Sequence, residues 1–401
     1  MGFRSRSKSL CAALLFSAAC TTEPQLVASN CEMGEGCLRT AALKLDAVDI
    51  LLVMDDSASV ADKVDQLKTE LPHLLEAITT GESDGVSFPP AKSVHVAVTT
   101  TDMGGAVIPP SCTYEGQDGV FLQPGDRGVT CNMAYPGYLA YTAEDGASPM
   151  ESASCVPLVF PDSASDTGWR HGCGYEQPLE ATLKSVWPKA DDSLMFRSGY
   201  GHGDEKNAGF LRDNSVLVVV IVTDEDDCSI TESDFLESPQ NAKPQYANQP
   251  VSLRCYLNPD KLQAPARYIE SLKNLRPNND NVIFALIAGV PPELVSDDFR
   301  SHYDFEAPKQ VDQYFADVLT ASDMQEKTIE EDTMFGRLAP ACTRMVDGSA
   351  YSATPPRRLV EVARGFGAQG VLGSICANDF GNTTGHIIRA LAEKLTANAD
   401  R

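Results

Sequence analysis

Stretches of near-continuous apolar residues alternate along this 401-residue chain with stretches whose apolar positions recur every three to four residues. That alternation predicts an α/β fold. Val48–Met54, Ser215–Thr223 (SVLVVVIVT) and Asn281–Ala288 (NVIFALIA) are the apolar runs, of the kind that fill interior strands of a parallel sheet covered on both faces. Val94–Thr101 alternates and ends in polar residues, and Gly370–Ile375 gives a short last strand. Helical spacing is carried by Val60, Val64, Leu67, Leu71, Leu74, Leu75 and Ile78, with Pro72 expected to kink the helix. Further helices are expected over Glu176–Trp187, Ala264–Leu275, Pro356–Gly367 and Thr383–Leu395. Segments 104–174, 229–263 and 290–355 lack sustained periodicity and read as insertions. The first is rich in Gly, Pro and Tyr and carries four cysteines; the third is acidic and irregular. The expectation is one Rossmann-like domain over 46–401, a doubly wound, mostly parallel sheet.

Two of the apolar runs end in acids. The first runs into Asp55, Ser57 and Ser59, spaced Asp-x-Ser-x-Ser, and the second into Asp224, Glu225, Asp226 and Asp227. Side chains at the carboxyl ends of such strands face the crevice where open α/β sheets bind ligands. A carboxylate and two hydroxyls converging there are hard oxygen donors suited to Mg²⁺ or a similar cation. Alternatively, Ser57 or Ser59 caps the next helix and the acids solvate turns. Thr100, Thr101 and Asp102 fall at the end of another strand and are candidates for a supporting shell, as are Glu225 and Asp226.

The segment VDILLVMDDSASV resembles the first metal-site motif of the von Willebrand factor A family, and NAGFLR followed by a buried strand and TDEDDCS resembles exported bacterial members of it. The resemblance implies a doubly wound sheet and a divalent cation, Mg²⁺ first and Ca²⁺ or Mn²⁺ as alternatives, with one position left for a partner's carboxylate. It assigns Asp55, Ser57, Ser59 and Asp224 to the metal. The family has a threonine where Glu176 stands, a departure. Glu176 then either binds the metal itself or simply favours the helix N-terminus.

Composition narrows the partner. Lys and Arg total 32 against 56 Asp and Glu, a net charge of −24, so no basic face for nucleic acid is visible. Residues 1–19 read as an export signal: Arg4, Arg6 and Lys8, then a short apolar run, then Ser17, Ala18 and Ala19 before Cys20. The pattern is similar to a bacterial lipoprotein cleavage site with Cys20 lipidated, although Ser17 departs from it; cleavage near Ala19 is the alternative. Thr21 and Thr22 give no inner-membrane retention signal, which points to the outer membrane, with 20–45 as a tether. Of twelve cysteines, Cys11 leaves with the signal and Cys20 carries lipid. The ten others, Cys31, Cys37, Cys112, Cys131, Cys155, Cys173, Cys228, Cys255, Cys342 and Cys376, are expected in disulfides. Connectivity is open in the sequence; neighbour pairing gives loops 31–37, 112–131, 155–173, 228–255 and 342–376.

The chain carries no G-x-S-x-G elbow, Walker loop, G-x-G-x-x-G or H-E-x-x-H. The expected function is a surface-anchored, cation-dependent binding or adhesion module for a protein or other acidic ligand. A metal-dependent hydrolase using the same crevice, and an envelope lipoprotein with a vestigial site, are the alternatives.

Overall fold

Six strands form the central sheet: β1 (Ala47–Met54), β2 (Ser93–Thr100), β3 (Leu139–Thr142), β4 (Ser215–Val222), β5 (Val282–Ala288) and β6 (Gly370–Ser374), in the spatial order 6-5-4-1-2-3. The computed structural model describes residues 45–399 except 84, 106–114, 128, 143, 145, 159–172, 238–240, 330–335 and 347. The expected export signal, Cys20, the tether, Cys31, Cys37 and Cys112 lie outside the described residues.

All pairings but one are parallel; β3 runs antiparallel to β2 at the edge. The apolar runs became interior strands for the expected reason. Every residue of β1, β4 and β5 is buried. Alternate side chains serve opposite faces. Val48, Ile50, Leu52 and Met54 join one core with α1 (Val64–Thr80) and the last helix, α6 (Gly381–Ala399). Leu51 and Val53 join the other core, with α2 (Pro178–Val186), α3 (Pro265–Asn274), α4 (Pro308–Thr320) and α5 (Arg357–Gly365). Each fully buried Val, Leu or Ile stabilises this arrangement by roughly 1.5–3 kcal/mol relative to exposure. Among the described residues, no helix is long and apolar enough to cross a membrane.

Several expectations are corrected. The helix after β1 opens as a 3-10 turn, Ala58–Lys63, and α1 runs on through Pro72 to Gly81, whose φ of 73° and N–H to the Ala77 carbonyl close it. The first insertion supplies the edge strand β3. The third holds α4, whose Val311, Tyr314, Phe315, Val318 and Leu319 are core residues, and a hairpin, Cys342–Val346 with Ser349–Ala353. Two of the neighbour disulfides are replaced: Cys131 pairs with Cys155, which rules out 112–131 and 155–173. The Cys131–Cys155 link brackets β3 and so fastens an edge strand. Cys173 is disulfide-bonded as well. Cys228–Cys255 and Cys342–Cys376 stand as expected.

A buried carboxylate inside β1 went unremarked in the sequence. Asp49 is fully buried toward the amino edge of the sheet. It accepts bonds from the Arg212 backbone N–H (2.8 Å) and Arg212 Nε (2.8 Å), and Arg276 lies 3.5 Å away. The NAGFLR segment is thus built into the fold: Arg212 neutralises Asp49, Phe210 is core, and the Asn207 amide bonds the carbonyls of Gly119 and Ser185.

Candidate metal centre

The crevice is set by register. Met54 lies opposite Val222, so the first residues beyond β1 and β4, Asp55 and Thr223, share the carboxyl edge. The ladder continues one step past the strands: Asp55 N–H donates to the Val222 carbonyl (2.9 Å) and Thr223 N–H to the Ile287 carbonyl (3.1 Å). This holds the two acid-bearing turns against a rigid base.

Four of the expected site residues are joined by hydrogen bonds. Asp55 Oδ1 accepts the Ser57 N–H at 2.8 Å. Ser57 Oγ and Ser59 Oγ are 2.8 Å apart, and Ser59 Oγ donates to Asp224 Oδ1 at 3.1 Å. Thr223, absent from the sequence expectation, donates its hydroxyl to Asp55 Oδ2 at 2.8 Å. Its signal was weak, since a threonine ending a strand reads as β-propensity. The serine hydroxyls do not cap the helix: Ser57 stands at the start of the 3-10 turn and makes no side-chain capping bond. From floor to mouth, Asp55 is fully buried, Asp224 nearly so, and Ser59 exposed.

Acids crowd this place. Burial raises the Asp55 carboxyl above its usual range. Burial, then the charges of Asp55 and Glu225, push Asp224 up to about 8. Glu176 is raised well above the ordinary value by burial and by Glu225 and Asp55. Backbone bonds pin it there: its carbonyl accepts the Cys228 N–H (2.8 Å), and Gln177 N–H donates to the Thr101 carbonyl (3.0 Å). The Glu176 carboxyl hydrogen-bonds Glu225 and not the Asp55–Asp224 chain; its Oε1 is buried without a partner. Glu225 is exposed at the rim, yet the protein around it and Asp55 raise it to about 7.

The remaining acids turn elsewhere. Asp226, raised to about 7 by burial, accepts the N–H groups of Arg358 (3.0 Å) and Leu359 (3.2 Å) at the start of α5. Asp227 accepts the Leu179 N–H (3.1 Å) at the start of α2 and binds Arg358 Nη2 (3.1 Å). Both complement helix N-termini. Thr100 Oγ1 accepts the Asp102 N–H, and Asp102 Oδ1 accepts the Gly104 N–H, so this pair braces its own loop.

Among the described residues, no group of three or more His, Cys, Asp or Glu converges to hold a metal ion. What converges is two carboxylates with three hydroxyls, and such hard oxygens suit Mg²⁺, Mn²⁺ or Ca²⁺. Beside them, Lys63 is buried and lines a small hollow with Ser59 and Asp224.

Fold and site together define an α/β protein with a mostly parallel sheet and an oxygen-rich, acid-crowded crevice at its carboxyl edge. No protein-family model matches the chain, and no curated protein matches it significantly.

Proposed function

We propose that this protein is a cation-dependent binding module of the von Willebrand factor A type, exported and anchored at the outer membrane through a lipid on Cys20. Asp55, Ser57, Ser59 and Asp224 would hold the divalent cation, and a carboxylate from a protein or other acidic ligand would complete its coordination. The observation that carries this reading is the hydrogen-bonded chain from Asp55 through Ser57 and Ser59 to Asp224, closed across two adjacent central strands. A buried acid pair without a compensating charge is disfavoured, and a bound cation offsets that. The strand order, with a core on each face, supports the doubly wound reading. Disulfides fit an oxidising, exported setting.

Binding to the folded state alone raises the melting temperature. Titration of metal-free protein with Mg²⁺, Mn²⁺ or Ca²⁺ is expected to lift it by several degrees, and Asp55→Ala to abolish the response. An unchanged melting curve, with no metal found by mass spectrometry after gentle purification, would sink the reading.

Lys63 favours one other reading. Its buried ammonium, next to Ser59 and Asp224, is a cation supplied by the chain itself, which suits an envelope protein whose crevice takes no metal. Lys63→Met separates the two: it should leave a metal response in place under the first reading and destabilise the fold under the second. The hydrolase reading is weaker: it needs a carboxylate free to activate water, and Asp226 is committed to the N–H groups at the start of α5.

A further inference from the structure

A cavity of about 450 Å³ opens directly beside the crevice, and Glu176 and Glu225 form part of its wall. Glu176 is 1% exposed and its Oε1 has no hydrogen-bond partner. A carboxylate oxygen buried in this way lacks a donor. Three arginines, Arg337, Arg357 and Arg358, line the cavity, and none of them hydrogen-bonds this oxygen. Arg358 is spent on the Asp227 carboxylate and the carbonyls of Asp227 and Gln263, and Arg357 on the carbonyls of Leu319 and Met324. Asp226 and Asp227, also on this wall, are satisfied by helix N–H groups. The unmet acceptor is therefore Glu176, with Glu225 next to it at the rim. The rest of the lining includes Tyr256, Pro259, Leu262 and Leu338, a surface suited to the methylene stem of a long basic side chain.

We infer that this cavity receives a lysine or arginine side chain of the partner, the ammonium or guanidinium meeting Glu176 and Glu225. The partner then presents two opposite charges close together, a carboxylate for the cation and a base for the cavity. The joint ligand rests on the cation-site reading; the cavity does not. Charge-assisted bonds to a buried carboxylate are the strong ones, and the protein's net charge of −24 draws a basic segment toward it.

The test uses acetyl-Ala-Arg-Ala-amide, its Gln counterpart and agmatine, titrated calorimetrically into the folded protein in EDTA at constant ionic strength. The Arg peptide is expected to bind and the Gln peptide not. Glu176→Gln should weaken the Arg peptide by about tenfold, the loss expected for one charge-assisted bond. If that variant does not fold, Glu225→Gln at the exposed rim replaces it. No binding of the Arg peptide, full binding by the variant, or binding of agmatine alone would overturn the assignment, the last by making the ligand a free amine. A chain that binds the Arg peptide but shows no Mg²⁺ response keeps the cavity and loses the cation site; the converse loses only the cavity.

Discussion

Asp224 sits where, under the proposed reading, a proton and a divalent cation would compete for the same oxygens. Its folded pKa, about 8, lies far above the unfolded value of a carboxyl, about 3.9. Asp55, Glu225 and Asp226 are raised as well. For a raised acid the native state holds the proton more tightly than the unfolded chain. The stabilisation is therefore complete below about pH 4 and is lost as pH rises through about 8. Metal-free protein should accordingly melt lower at pH 8 than at pH 5. Mg²⁺ should restore several degrees at pH 8 and little at pH 5, where the acids are still protonated. Equal increments at both pH values in thermal melts would contradict the site. At this scale the sequence showed Asp55, Ser57, Ser59 and Asp224, because strand ends and spacing fix which side chains reach the crevice. It singled out Asp224 through the family resemblance but could not tell which way Asp226 and Asp227 point. Neighbours in a turn point in different directions, and only the packed helices show that the latter two face N–H groups.

Those two acids make the turn after β4 a junction between elements. Asp227 joins the start of α2 to Arg358 at the start of α5, so one carboxylate aligns two helices of the same sheet face. Asp227→Ala would strand the Leu179 N–H and leave a half-buried guanidinium without its acid, a loss of about 2–4 kcal/mol. Urea denaturation monitored by circular dichroism measures it; a change under roughly 0.5 kcal/mol would mean that the junction carries no weight. Elements with a long apolar run, a clear alternation or an unbroken helical stripe were legible, and β3 and α4 were not. β3 has four residues, too few to show alternation over glycine and proline. α4 did carry a helical stripe, with Pro308 at its first turn, but the charged and irregular stretches around it hid that period. Burial in the second core gives it weight: Phe315→Ala should destabilise by about 3–5 kcal/mol in the same assay.

At the scale of the whole domain, two of the described disulfides tie an inserted segment to the chain just beyond a central strand, and the third, Cys131–Cys155, closes a loop around β3. Cys228–Cys255 follows the acidic turn, and Cys376 stands just beyond β6 and lines the hollow with Ser59 and Asp224. Each link constrains the unfolded chain by about 2–4 kcal/mol. Thiol titration of denatured, unreduced protein should find essentially no free cysteine among the ten. Mild reduction should lower the cation response before far-ultraviolet dichroism changes, since the loops at the crevice loosen first. The even cysteine count was readable from composition, whereas the pairing around β3 depended on a strand the composition does not reveal. The hydrogen bond from Ser59 to Asp224 has a further consequence, because its ends lie 165 residues apart in the chain. Contacts of such long range form late and slowly. A nascent chain emerging amino end first carries β1 and its acids long before β4 arrives beside them. Until then β1 is an apolar strand with an open edge, prone to pair with other chains. A chain cut short before residue 215 should thus be an aggregating species with no crevice at all, and quality control during synthesis would bear on this protein more than on one whose site is built from neighbouring residues.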